Sequence, residues 1–472
     1  MKKILMINPP TGIFIRDDRC QSNVEEFMIS VSRPPHELLI MATVLKNQGH
    51  QVIINDYPIE KKSLADYKHD IEEFLPDILV INSTLPTLSG DSVCGGIAKQ
   101  IDENIMVALR CGAIEYIGED AMRAEPLLDV IFYGETDSTL SELIKYEDKS
   151  KVRGIFYRQG RDIIKTARRP FLEDLDCLPL IDRSLVKNEL YSRPDTNMPV
   201  GLIEVSRGCP YGCIFCLAPI SYGKNHRLRS VHRIIEEIKS CVKKYNIVDF
   251  HFKSDLFSLN RRWVLELCRE IIKNNLKIKW FANSRVDTID RELLAAMKES
   301  GCFALALGIE SGSQEILNKI KKGITLKQIQ NSFNLCKDYE IKTYGYFIIG
   351  FPWDTEETIL ETINFSIKVD PDYLDFFFPY AFPGTELYQM NKELNLIDDF
   401  SVGKASKNSY IGSQLPTLTV SRKKLVKLRK KALQKFYIRL KYVRKVLRNY
   451  KGFKEKMRLL RYGFFSLRKI LG

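Results

Sequence analysis

What the chain lacks narrows its class first. No stretch of its 472 residues approaches the ~18–20 consecutive apolar residues of a membrane span. Met1-Lys2-Lys3 runs straight into Ile4-Leu5-Met6-Ile7-Asn8, which is too short for a secretory leader and reads as a first strand. There is no low-complexity tract, and no internal repeat beyond an alternation of strand-like and helix-like segments. The 11 cysteines are an odd number and form no regular disulfide framework. A cytoplasmic chain with reduced thiols is expected, in which clustered cysteines are metal ligands. Acid is almost absent from the end of the chain. Residues 421–472 hold 20 Lys/Arg and one acid, Glu455, a local charge of +19 against +13 overall. The remainder is therefore about −6. Such asymmetry suggests an anionic partner: a membrane surface, a nucleic acid or an acidic substrate.

What is present suggests two or three domains. Residues 1–145 alternate apolar strands, at 4–8, 52–55, 78–82, 105–109 and 130–133, with helices, one of them opened by Pro34-Pro35 and ended by Gly49. Continuously apolar strands between helices imply a parallel sheet covered on both faces, a flavodoxin-like or Rossmann-type α/β unit. Ligands in such sheets bind at the strands' carboxyl ends, here the loops 8–12, 82–90, 110–114 and 134–137. Residues 146–195 read as a connector with a small hairpin, 152–158 and 162–165, around Gln159-Gly160. Residues 196–395 repeat a strand–helix unit six times, with strands at 202–205, 248–252, 278–283, 303–309, 343–349 and 373–378. Six units suit a partial (βα)6 TIM barrel, with its site at the strands' carboxyl ends. Residues 396–472 become basic amphipathic helices, with Leu425, Leu428, Ala432, Phe436, Ile438, Leu440 and Val443 as their apolar members.

After the first barrel strand come Cys209-Pro210-Tyr211-Gly212-Cys213-Ile214-Phe215-Cys216. Three thiolates in one loop at the active end leave an iron of a 4Fe–4S cluster open, as a catalytic metal site requires. The alternative is a zinc site lacking its fourth ligand, or structural cysteines; zinc favours paired C-x2-C spacings. Cys241, Cys268 and Cys336 sit on apolar helix faces and read as core. Cys20, Cys94 and Cys111 make no second cluster motif. His251 on a strand near the site is a packed histidine or a proton donor.

The C-x3-C-x2-C loop with Phe215 before its last cysteine resembles the signature of the radical SAM superfamily. The resemblance implies a 4Fe–4S cluster on Cys209, Cys213 and Cys216 that binds S-adenosylmethionine (SAM) and cleaves it reductively to a 5′-deoxyadenosyl radical. It extends to Gly308-Ile309-Glu310-Ser311-Gly312, Asn283-Ser284-Arg285, Ile349-Gly350-Phe351-Pro352 and Pro383-Gly384-Thr385. It implies SAM contacts at Phe215, Asp255, Arg285, Glu310 and Gly350. Other readings of Glu310 and Arg285 are a helix cap and a surface ion pair.

Asn8-Pro9-Pro10, Arg33-Pro34-Pro35, Gly49-His50-x-Val52, Tyr133-Gly134-Glu135 and Arg227-Leu228-Arg229-Ser230 resemble the subgroup with an N-terminal cobalamin (B12)-binding domain. Ile320-Lys321-Lys322-Gly323 and the run Glu356 to Thr362 are similar to the hopanoid-biosynthesis enzymes of that subgroup. The resemblance covers residues 1–400 and implies cobalamin contacts at Asn8, Pro9, Ser83, Gly112, Gly134 and Glu135. It implies C-methylation of an unactivated carbon in a small-molecule or lipid substrate, with an electron donor such as flavodoxin or ferredoxin. Rearrangement or cyclisation of a lipid or natural-product precursor is the alternative, and a degenerate membrane-surface or RNA-binding protein a second. The chain departs from the pattern in places. It has no Asp-x-His-x-x-Gly, Lys253-Ser254-Asp255 keeps a single Asp, Trp353 replaces a Gly, and Arg110-Cys111-Gly112-Ala113 replaces Gly-Gly-Pro-His. The basic end reads either as helices packed on the barrel or as attachment to an anionic inner-membrane surface, with nucleic acid ranked last.

Overall fold

The computed structural model describes residues 1–449 apart from 19–20, 25–26, 29–30, 194–195 and 398–414. The fold is mixed α/β with two largely parallel sheets. In the first, β1 (Lys3–Asn8), β2 (Gln51–Asp56), β3 (Ile78–Ser83), β4 (Met106–Cys111) and β5 (Val130–Phe132) pair in parallel. Their order is β2-β1-β3-β4-β5. The direction of winding reverses between β1 and β3, so a crevice opens at their carboxyl ends. β3 is buried along its whole length, as a strand between two helical layers must be. The expected hairpin forms as β6 (Ile155–Gln159) and β7 (Asp162–Lys165). It joins the sheet through antiparallel pairing of β6 with β5, which its spacing did not reveal.

The second sheet holds β8 (Val200–Glu204), β11 (Asp249–Lys253), β12 (Lys279–Ser284), β13 (Cys302–Glu310), β14 (Lys342–Ile348) and β15 (Tyr373–Phe377), all parallel and in sequential order. A short antiparallel pair, β9 (Ser206–Arg207) and β10 (Arg227–Leu228), brackets the cysteine loop. Sequential parallel order with right-handed crossovers puts every connecting helix on one face. The main core accordingly packs Ile234, Ile238, Leu267, Leu293 and Phe333 of the helices against Phe250, Trp280, Leu305 and Phe347 of the strands. Caps fall where the sequence places them. Ser230 accepts from Arg233 N–H, Asp290 from Leu293 N–H, and Thr325 with Gln328 forms a capping box.

The first helix of the basic end is part of this fold. On the helix Arg422–Tyr437, Leu425, Leu428, Ala432 and Phe436 are buried in the core of the second sheet. Tyr437 Oη bonds both the N–H (2.9 Å) and the carbonyl (2.6 Å) of Leu374, and Arg429 Nε donates to Phe376 O at 2.6 Å. The open edge of β15 is thereby covered. Ile438, Leu440 and Val443 do not share that apolar face, being 47%, 73% and 42% exposed; after Tyr437 the chain turns into the separate helix Leu440–Asn449. The expectations for 398–414 and 450–472 lie outside the described residues, as does Cys20. No described helix is long and apolar enough to cross a membrane.

Candidate active site

The cysteine loop begins where β8 and β9 end. Gly208, at φ +91°, turns the chain; a side chain there would collide with Asn225 O at 2.1 Å. Its N–H donates to Asp255 Oδ2 at 2.7 Å, so Asp255 braces the loop from the end of β11. Cys209 N–H donates to Gly223 O, Ile214 N–H to Ile320 O, and Leu387 N–H to Ile214 O. Four separate parts of the chain therefore hold the loop. Phe215 lies against Phe351, with ring centroids 5.7 Å apart.

Burial pushes the Cys216 thiol up to about 12, and Cys213 and Cys209 act on it in the same direction. Burial also raises Cys209. The three thiols are thus near enough to repel one another as thiolates, which suits a cationic group at their centre. Among the described residues no three His, Cys, Asp or Glu converge on a single ion. A cluster needs no such convergence, because each thiolate takes a different iron. The donor set fits a 4Fe–4S cluster with one iron free of protein ligands.

Two cationic side chains stand by Cys213. Arg285, at the end of β12, chelates Asp287 through two bonds (2.9 and 3.0 Å) and donates to Lys322 O at 2.8 Å. Its guanidinium also lies 3.7 Å from the ring centroid of Tyr211, inside the cysteine loop. Lys322 Nζ is 2.6 Å from Glu310 Oε1, both side chains under a tenth exposed. Burial alone would lower the Lys322 ammonium; Glu310 and Cys213 outweigh it and raise it. Glu310 sits at φ +67°, at the register shift that ends β13. Beside Arg285, Asn283 Oδ1 and Ser284 Oγ are buried with no hydrogen-bond partner, leaving unsatisfied polar atoms at the carboxyl end of β12 for a polar ligand. Gly350, at φ +99°, lies 3.2 Å from Leu425 where its side chain would be, and its N–H donates to Asp354. His251 is fully buried and stacked on Phe281, 4.4 Å between centroids and 3° from parallel, the packed arrangement. Cys241, Cys268 and Cys336 are buried core.

At the carboxyl edge of the first sheet, Asn8 donates to Asp56 (2.9 Å), Asn82 to Asn8 (2.9 Å), and Arg110 to Asn82 (3.0 Å) and Asp18 (2.6 Å). Ser83 donates to Asp91. Glu135 pairs with Arg227 at 2.7 Å. Gly112 lies under Asp18, whose Cα would be 2.6 Å from a side chain there. Gln21 bridges Gly112 O and Leu85 N–H. Arg16, Asp18 and Gln21 thus occupy part of the crevice. Two cavities open beside them, one of about 40 Å³ with Asn8, Arg16, His36, Glu37 and Lys253 in its wall, and one of about 550 Å³ lined by Pro10, Gly12, Ile13, Pro58 and Ile59.

The residues that sequence reasoning missed join the two sheets. Arg207 binds Asp137 (2.7 and 2.8 Å) and Glu204 (2.7 Å). Lys253 binds Glu37 (2.7 Å) and Glu204 (3.1 Å). Tyr222, six residues beyond Cys216, donates to Asp18 at 2.9 Å. In the sequence Lys322 stands out only as part of a motif, with no role of its own.

A parallel sheet carrying a three-cysteine loop at its carboxyl end defines a metal-dependent α/β enzyme class. Residues 203–366 match the family model described as the radical SAM superfamily. The chain is 31% identical over 455 residues to the uncharacterized methyltransferase PH0819 of Pyrococcus horikoshii, covering 96% of each. It is 25% identical to the anaerobic magnesium-protoporphyrin IX monomethyl ester cyclase of Cereibacter sphaeroides over 79% of this chain and 63% of that one. In structure it is similar to the radical SAM methyltransferase TsrM of Kitasatospora setae, solved with cobalamin and a [4Fe-4S] cluster, at TM-score 0.69 and 17% identity over 84% of this chain and 78% of that one. The chain belongs to the radical SAM superfamily.

Proposed function

We propose that the chain is a radical SAM methyltransferase of the cobalamin-dependent kind, acting on an unactivated carbon of a small molecule or lipid. In this reading residues 1–145 are a flavodoxin-like cobalamin domain, 146–195 a connector, 196–395 an open (βα)6 barrel and 396–472 a basic helical end. The observation that carries it is the cysteine loop, braced by Asp255 and flanked by Arg285 and the buried Glu310–Lys322 pair. Cys209, Cys213 and Cys216 would hold the cluster, which with bound SAM supplies reductive cleavage to a 5′-deoxyadenosyl radical. Lys322 and Glu310 present one buried charge of each sign beside Cys213, matching the carboxylate and ammonium of SAM's methionine end. Arg285 is committed to Asp287, Lys322 and Tyr211, and so positions the loop. Electrons would come from a small donor such as flavodoxin or ferredoxin. Methyl transfer is supported by the Pyrococcus relative, which is named a methyltransferase, and the fold shared with the methyltransferase TsrM agrees with it.

Cobalamin, the second cofactor, would sit at the carboxyl edge of the first sheet. The polar rim of the crevice is chemically suited to an amide-rich ligand; Asn8, Ser83, Gly112 and Glu135 are bonded or covered within the chain, and the open space adjoining them is the cavity of about 550 Å³ lined by Pro10, Gly12, Ile13, Pro58 and Ile59. Bound there, it would carry a methyl group to the substrate carbon.

The test is anaerobic reconstitution with iron and sulfide, followed by turnover with SAM and a reductant. Iron–sulfur absorbance and release of 5′-deoxyadenosine are expected, both lost in Cys213→Ser. With substrate, S-adenosylhomocysteine should appear as well. Deoxyadenosine without S-adenosylhomocysteine would sink methyl transfer and favour rearrangement or cyclisation.

A further inference from the structure

Side chains on a strand alternate between the sheet's two faces. On β12–β15 one set, Trp280, Leu305, Leu307, Phe347 and Phe376, is buried under the helices. The other set faces away from them and is only partly covered. In a closed barrel those inner positions are filled by bulky branched residues and form a packed core. Here the central strand, β13, offers Ala304, Ala306 and Gly308, and Ala304 and Gly308 are partly exposed. On one side rises Phe281, held parallel to His251 and edge-on to Phe303 at 5.8 Å. On the other rise Tyr344 and Tyr346, 4.9 Å apart, with Phe377 a further 5.9 Å from Tyr346. Phe281, Tyr344, Tyr346 and Phe377 are also partly exposed.

The result is a trough with a floor of small residues and walls of flat rings. Two strand spacings separate β12 from β14, about 10 Å, and Ala304 to Gly308 spans about 13 Å along the strand. Among the described residues no charged side chain stands on the floor, and charge lies around it. The Glu310–Lys322 pair marks the end nearest the cysteine loop. Asp375 is taken up by Tyr344 Oη and by Met28 N–H at 3.1 Å. Arg193, over the Phe303 ring, is neutralised by Asp249 at 2.9 Å. Among the described residues a nucleotide or other polyanion would find no free cation along the floor. A flat apolar body would replace water on the alanines and lie against ring faces on both sides, where aromatic contacts add to burial.

We propose that this trough is the substrate site and that it takes an apolar fused-ring molecule, one edge lying toward Gly308. The proposal rests on the reading that the cysteine loop is where the radical forms. The probe is dehydroergosterol, a fluorescent fused-ring sterol, titrated into the full-length reconstituted protein, with cytidine triphosphate as the polar comparison. Saturable sterol binding is expected, at least tenfold weaker in Ala304→Trp, which fills the floor, and within about twofold of wild type in Ala304→Ser, which does not. Ala306→Ile serves as a second filling variant, and circular dichroism shows which variants are folded. No sterol binding by the wild type, equal binding by a folded filling variant, or cytidine triphosphate binding as tight as the sterol overturns the proposal. SAM cleavage by the wild type is followed separately. Cleavage without sterol binding removes the trough proposal alone; sterol binding without cleavage removes radical formation at the cysteine loop, and with it the trough's assignment as the substrate site, leaving a sterol-binding trough.

Discussion

Gly308, Glu310 and Lys322 work as one unit although twelve positions separate the last two. A β-carbon on Gly308 would lie 2.4 Å from Glu310 Oε1 and 2.9 Å from Lys322 Nζ, so the absence of a side chain lets the ion pair close. A buried pair adds little net stability, but breaking it leaves a charge stranded. Lys322→Met should therefore destabilise the protein by about 3–5 kcal/mol, measured by denaturant unfolding. The double variant with Glu310→Gln should regain much of that loss, since no lone charge remains. A second single-site expectation concerns Gly208: Gly208→Ala, with Asn225 O at 2.1 Å, should reduce cluster loading, read as iron bound per chain. The cysteines were legible in the sequence because their chemistry needs that spacing on one loop. Glu310 was legible through its motif. The role of Lys322 was not, because no helical or strand period links it to Glu310; a register shift and a folded loop make the pairing.

At the scale of elements, the helix Arg422–Tyr437 shows what charge conceals. Its sequence is dominated by lysine and arginine, yet one stripe is core and two of its polar side chains finish an open sheet edge, a liability that folded proteins cover. Tyr437→Phe strips the partner from both backbone groups of Leu374, and each buried polar group left unmade costs about 1–3 kcal/mol. The expected signature is local: faster amide hydrogen exchange at Leu374, with the cysteine loop unaffected. The described parts of the loop before the helix His36–Asn47, residues 13–18 and 21–24, make the opposite point. Their sequence has no element to recognise, and only the fold shows Arg16, Asp18 and Gln21 in the crevice. Arg16 is held by Asp91 at 2.7 Å. Loosening the loop with the pair Arg16→Ala and Gln21→Ala should raise the rate at which the protein takes up hydroxocobalamin, followed by its visible spectrum under anaerobic conditions. An unchanged rate would mean that the loop is no barrier.

Across the whole molecule, the two sheets meet through buried ions. The strand and helix pattern made both sheets legible, since each is written in local periodicity. Their docking was not, because Glu37, Asp137, Glu204, Arg207 and Lys253 look like surface charges until the partner sheet covers them. Two carboxylates in this region respond to pH in opposite directions. Burial would raise Glu37, but Lys253, Arg110 and His36 around it overcome that and hold it down to about 2, against an ordinary 4.5. Its contribution is present above pH 4.5 and is lost as the pH falls toward 2. Asp56 has mainly neutral donors, Asn8 and Tyr191, and burial prevails, raising it from 3.8 to about 6. A raised carboxyl favours the folded state while protonated, and that advantage is lost as pH rises through 6. Asp56→Asn keeps the size and can still accept from Asn8 and Tyr191, but never has to ionise. The variant should match wild type below about pH 4 and exceed it above pH 6, by at most about 3 kcal/mol for a displacement of this size. Denaturant unfolding at pH 4 and pH 8 decides it: a variant equally or less stable at pH 8 would show that Asp56 is ionised at no cost, its charge stabilised across the crevice by Arg16.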